Sequence, residues 1–154
     1  MALKGDRYEA ITSIEFFMDQ VAERGGVVCQ TTGCGSGAAL DQFASQVEYA
    51  ANPSGRYAVG LLLNDVVNLD LTKQHMNWYQ NQMQKGGKVT LLRDGWVVTN
   101  MLHTNVSIGA GSGAYLTVSG LLTTNTGSGN PKVGRFEQTV DADGYCKVYI
   151  KLPQ

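Results

Sequence analysis

Charge is the first thing this sequence has little of. Only 16% of its 154 residues are charged, and 12 Lys+Arg against 13 Asp+Glu leave a formal net charge of −1. No run of Lys or Arg occurs anywhere. Binding the phosphates of a nucleic acid or an anionic membrane needs clustered cations, so neither nucleic acid nor a membrane is an expected partner. Long apolar runs are missing too. Stretches such as Leu61–Leu63 are far too short to span a bilayer, and Met1 to Asp6 lacks the apolar segment of a secretory signal. Three cysteines, Cys29, Cys34 and Cys146, do not make the even, larger set of a disulfide framework. Synthesis in a reducing cytosol is the simpler expectation.

What is present is apolar content, 43% of the chain, enough for one domain with a substantial core. Near the start, Thr12 and Glu15 have capping-box spacing. Ile14, Phe17, Met18 and Val21 follow at helical spacing, and Arg24 with Gly25-Gly26 could end a helix. One N-terminal α-helix is therefore expected. Beyond it the pattern is that of strands and turns, at 26–30, 46–50 and 57–63 with Pro53-Ser54-Gly55 as a turn. Residues 88–92 and 96–99 flank Asp94-Gly95, which reads as a two-residue hairpin turn. Residues 133–140 and 145–152 flank Asp141-Ala-Asp-Gly144 in the same way. Cys146, Val148, Ile150 and Leu152 alternate with Tyr145, Lys147, Tyr149 and Lys151, the signature of a half-buried strand. The segment 70–85 is ambiguous between helix and extended arm and reads weakly as extended. The expected fold is mainly β, one helix against an antiparallel barrel or sandwich.

The chemical motifs fail one by one. Thr32-Gly-Cys-Gly-Ser-Gly-Ala38 has the glycines of a phosphate loop without its Lys or its spacing. Ser36 has Cys34 where a nucleophile elbow needs glycine. His75 and His103 are the only histidines and neither sits in a catalytic motif. Cys29 and Cys34 could supply two thiolates to zinc, but no second close pair completes four ligands. They could also form a disulfide, or remain inert thiols. Asp141-Ala-Asp143-Gly144 opens like a calcium loop and lacks the later ligands, so a hairpin turn is the plainer reading. Asn105-Val-Ser107 is a formal sequon that matters only in a secretory pathway. No enzyme, cofactor or metal is expected. His75, Trp78 and Tyr79 form an amphipathic cluster, either a partner contact or part of the domain's own core. Trp96, among strand residues, reads as core or cross-strand packing.

Several segments carry a resemblance. They are Lys4-Gly-Asp-Arg-Tyr-Glu9, Val59-Gly-Leu-Leu-Leu-Asn-Asp65, Gly87-Lys-Val-Thr-Leu-Leu-Arg-Asp-Gly-Trp-Val-Val-Thr-Asn100, Val133-Gly-Arg-Phe136 and Asp141-Ala-Asp-Gly-Tyr-Cys-Lys-Val-Tyr-Ile-Lys151. Together they resemble the head decoration, or capsid cement, proteins of tailed phages, including those of cyanophages. The resemblance implies a β-tulip-like or barrel domain with one helix, usually a homotrimer. It implies the major capsid protein as partner and a place on the outside of the virion, at capsomer junctions. The Cys-containing stretch 29–37 departs from that pattern. A phage tail or fibre module touching a host-surface ligand is the alternative.

Overall fold

The computed structural model describes residues 2–31, 45–63, 82–83, 85–104 and 106–153. Its strands are β1 (Leu3–Ser13), β2 (Phe17–Met18), β3 (Ala22–Glu23), β4 (Val27–Gln30), β5 (Gln46–Glu48), β6 (Ala58–Leu62), β7 (Gln82–Met83) and β8 (Leu91–Thr99). They continue with β9 (Gly113–Leu116), β10 (Leu122–Thr123), β11 (Lys132–Phe136) and β12 (Cys146–Lys151). The only helical pieces among the described residues are single 3₁₀ turns at Val118–Gly120 and Gly127–Gly129.

The expected N-terminal helix does not form. Thr12 and Ser13 are the last residues of β1 and pair with Leu92 and Leu91 of β8, so Thr12 cannot cap anything. Glu15 accepts from the Ser13 hydroxyl at 3.2 Å and meets Arg93 at 3.4 Å. The apolar stripe splits up. Phe17 and Met18 make a short parallel pairing with Gln46 and Val47 of β5, and Met18 is fully buried. Ile14 and Val21 stay exposed, at 58% and 54%. Four apolar residues at helical spacing thus lose to two non-local strand pairings. Helical propensity is a weak prior that tertiary pairing overrides.

The main sheet is mixed and runs β10-β9-β11-β12-β8-β6-β4-β5-β2, with β1 lying off this path against β8. The end strands β10 and β2 are not paired with each other, so the sheet is open where a closed barrel was expected. A separate two-stranded ribbon joins β3 to β7. Strand β8 is the spine. Along one edge it pairs with β1 over its whole length, from Leu91 to Thr99. Its other edge is shared end to end: β6 takes Leu91 and Leu92, and β12 takes Asp94 to Thr99.

The Asp94-Gly95 pair is therefore no hairpin turn, because β8 runs straight through it. Gly95 faces Glu9 of β1 on one side and Ile150 of β12 on the other. A β-carbon at Gly95 would stand 2.0 Å from the Tyr8 carbonyl oxygen, and its φ is +149°. The glycine is there for close approach of β1. The Asp141–Gly144 turn is as expected and joins β11 to β12, with Gly134, Arg135 and Phe136 opposite Ile150, Tyr149 and Val148. The Asp141 carboxylate accepts the amides of Asp143 at 3.0 Å and Tyr145 at 2.8 Å, while Gly144 N–H donates to the Asp141 carbonyl. The turn at 53–56 is also present, closed by Arg56 N–H to the Pro53 carbonyl.

Two apolar clusters hold the sheet. The larger includes Leu3, Leu61, Leu92, Val97, Leu116, Val133, Phe136, Val148 and Ile150. The smaller gathers Phe16, Met18, Val28, Val47, Val59, Leu62, Met83 and Leu91. Adjacent residues Leu61 and Leu62, and Leu91 and Leu92, serve opposite clusters, so β6 and the start of β8 are covered on both faces. This explains the unbroken apolar run of β6. Full burial of a side chain such as Phe136 contributes about 2–3 kcal/mol of transfer free energy.

Candidate functional site

His75, Trp78 and Tyr79, the candidate partner contacts, lie outside the described residues. So do Cys34 and Ser36. Cys29 is placed in β4, fully buried, and burial pushes its thiol up to about 11. Cys146 is buried in β12, with its thiol donating to the Gln138 carbonyl at 3.0 Å, and burial raises it to about 11 as well. A thiol held in that range is protonated near neutral pH and is a poor metal ligand or nucleophile. The Cys29–Cys34 pairing itself falls outside what is described. No cluster of three or more His, Cys, Asp or Glu suited to a metal occurs among the described residues.

One concavity of about 400 Å³ is lined by His103, Thr104, Val106, Ser107, Thr123 and Asn125, among others. His103 sits beside the Thr104 carbonyl with Nδ1 at 2.9 Å. A carbonyl can only accept, so Nδ1 is the donor of this bond. The Thr123 hydroxyl and the Asn125 carboxamide oxygen are engaged with the amides of Asn125 and Gly127. Much of the polar lining is thereby occupied in holding the loop itself.

The most organised surface is the outward face of the open sheet around β8. Register places Tyr8 of β1 opposite Trp96 of β8, Trp96 opposite Tyr149 of β12, and Tyr149 opposite Arg135 of β11. Directly paired residues project from the same face. Tyr8, Trp96, Tyr149 and Arg135 therefore form one row running across four strands. Tyr8 is 54% exposed, Trp96 and Tyr149 are half-buried, and Arg135 is exposed. The alternate positions Val97, Val148 and Phe136 point into the larger cluster, fixing which side the row faces.

Several polar groups around this row are engaged within the molecule. The Lys147 ammonium lies 3.9 Å from the centre of a Trp96 ring. The Tyr149 hydroxyl donates to the Asp94 carboxylate at 2.6 Å, and this bond is the main reason its phenol sits above the usual range. Arg135 Nε donates to Glu137 at 2.8 Å. Arg7 and Glu9 pair with each other along β1, at the positions that alternate with Tyr8.

Sequence reasoning read Trp96 as core or cross-strand packing, and the structure sets it half-buried between Tyr8 and Tyr149 on the outward face. The row was missed because its members are far apart in the chain and meet only through the registers β1–β8 and β8–β12. A shared outward parity in each strand was the only local trace. No protein-family model matches the chain, and no curated protein matches it.

Proposed function

We propose that this chain is a non-catalytic structural subunit, a head decoration protein that docks on the outside of a tailed-phage capsid at capsomer junctions. The mainly β domain supports that reading in its coarse form, and a β-tulip-like architecture belongs to the reading itself. The observation that carries it is the exposed apolar flank of β1. Among the described residues β1 pairs with β8 alone, and Ile11 within it and Ile14 just past its end stand 55% and 58% exposed. A strand with one unpaired edge and protruding aliphatic side chains favours a protein neighbour over water. The major capsid protein is the proposed partner.

A homotrimer fits the same role. Three docking contacts bound together raise effective concentration, so each can be weak while the assembly stays put against internal pressure. The test is co-sedimentation of the purified chain with capsid shells stripped of their decoration layer, together with its native mass. The expected result is a trimer that travels with the shells, and an Ile11→Asp/Ile14→Asp variant that folds but stays behind. A wild-type chain left at the top of the gradient at micromolar concentration would end the proposal.

A further inference from the structure

We infer that the Tyr8–Trp96–Tyr149–Arg135 row is a binding track for a linear, neutral polysaccharide. The inference needs no capsid and is tested on the isolated chain, so it stands or falls independently of the docking role proposed for β1.

Shape argues first. Neighbouring strands are about 4.8 Å apart, so four strands carry the row over roughly 14 Å. One strand spacing is close to the length of one sugar in an extended chain. The track is one side chain wide. On one flank lie Asp94 and Lys151, paired across β8 and β12, and on the other lie Val98 and Lys147. A globular partner would need a broad patch of about 800 Å² with an apolar centre. A narrow aromatic line with polar margins suits a chain-like ligand instead.

Charge argues second. A single-stranded nucleic acid would also lie along aromatic rings, but it needs cations left over to meet its phosphates. On this face Lys147 lies over Trp96, Arg135 is paired with Glu137, and Asp94 stands opposite Lys151 and beside Tyr149. Carboxylates are thus interleaved with the cations, and a polyphosphate lying along the row would have to pass them. What remains is the exposed Tyr8 ring and the half-buried rings of Trp96 and Tyr149, bordered by carboxylate acceptors and ammonium and guanidinium donors. A sugar ring offers the complement: C–H faces for the rings and hydroxyls that both donate and accept. The sheet beneath is rigid, since β8 is paired on both edges, so little ordering entropy is lost on binding.

The experiment is affinity electrophoresis of the full chain. Gels would contain hydroxyethylcellulose, dextran or galactomannan as neutral polymers. Polygalacturonate and a thymidine homopolymer would be the anionic ones. Retardation is expected in at least one neutral gel, unchanged by added salt. Tyr8→Ala, an exposed position, should weaken it roughly tenfold, the scale of one lost ring contact. Tyr8→Phe should restore it, and a matching thermal melt would show that both variants fold. The inference is overturned if no neutral polymer retards the chain. It is equally overturned if retardation occurs only with the anionic polymers and fades with salt, or if Tyr8→Ala binds like the wild type.

Discussion

The ring of Tyr49 lies so close over Gly120 that a β-carbon there would stand 2.4 Å from its Cδ1. The same side chain ends in a buried hydroxyl that donates to the Glu23 carbonyl at 2.5 Å and accepts the Gly26 N–H at 3.1 Å. Burial holds its phenol far above the ordinary tyrosine range. Tyr49 thus pins the 118–120 turn and the Glu23–Gly26 turn to the end of β5. Gly120 also has φ +80°, a conformation side chains rarely adopt. Gly120→Ala should cost about 1–3 kcal/mol from overpacking alone. Tyr49→Phe should cost about 1–3 kcal/mol by removing the hydrogen bonds to the Gly26 N–H and the Glu23 carbonyl. Urea unfolding of both variants measures this, and a loss near zero for either would show that the pin is not rigid.

Gly95 should be less forgiving still. Any β-carbon there meets the backbone of Tyr8, which has no flexible end to move aside. Gly95→Ala is expected to push β1 off the spine, at about 3 kcal/mol or more. Hydrogen exchange provides the sharper readout. Amides of residues 7–9 should lose protection well before those of β11 and β12, and uniform loss across the sheet would argue against a local displacement.

The buried thiols give a chemical prediction. With Cys29 and Cys146 both raised to about 11 by burial, neither should react with iodoacetamide in the native protein at pH 8. Both should react once the chain is unfolded in guanidinium. Peptide mapping by mass spectrometry separates the three cysteines, and native labelling of Cys29 would show that β4 opens readily.

Asp141 makes the Asp141–Gly144 turn pH-dependent. The Tyr145 amide bond is the main cause of its lowered pKa, with the Asp143 amide and Lys4, 3.8 Å away, adding to it. A carboxyl group lowered in the folded state stabilises that state above its unfolded pKa. The contribution is lost as pH falls through the folded value. The Tyr145 amide resonance should therefore stay constant from neutral pH down past the usual aspartate range and shift only below it. Asp141→Asn should abolish that transition, whereas an unshifted midpoint would mean that the turn is not held by the ionised carboxylate.

How much of this was legible depended on where each signal resides. The β11–β12 hairpin was readable because alternation, an Asp-Gly turn and the pairing all lie within about twenty residues of sequence. The spine was misread for the opposite reason. Gly95 looks like a turn residue, yet what requires glycine is the carbonyl of Tyr8, more than eighty positions earlier. Ile14, Phe17, Met18 and Val21 mimic a helical face, while their real neighbours are Gln46, Val47 and solvent. Alternation correctly set Tyr149 and Lys147 facing outward. It could not reveal that Trp96 and Tyr8 would line up beside Tyr149, because register is a property of pairs.

Strand β12 has one further consequence, through its place between β8 and β11. Residues 146–151 fill the interior of the sheet, and β8 stays open along that edge until they arrive. A nascent chain emerging from the ribosome can lay down β1 against β8. It cannot cover Val97 or Phe136 until Ile150 has left the exit tunnel. Completion of the core is thereby postponed until β12 has been made, after every other described strand of the sheet.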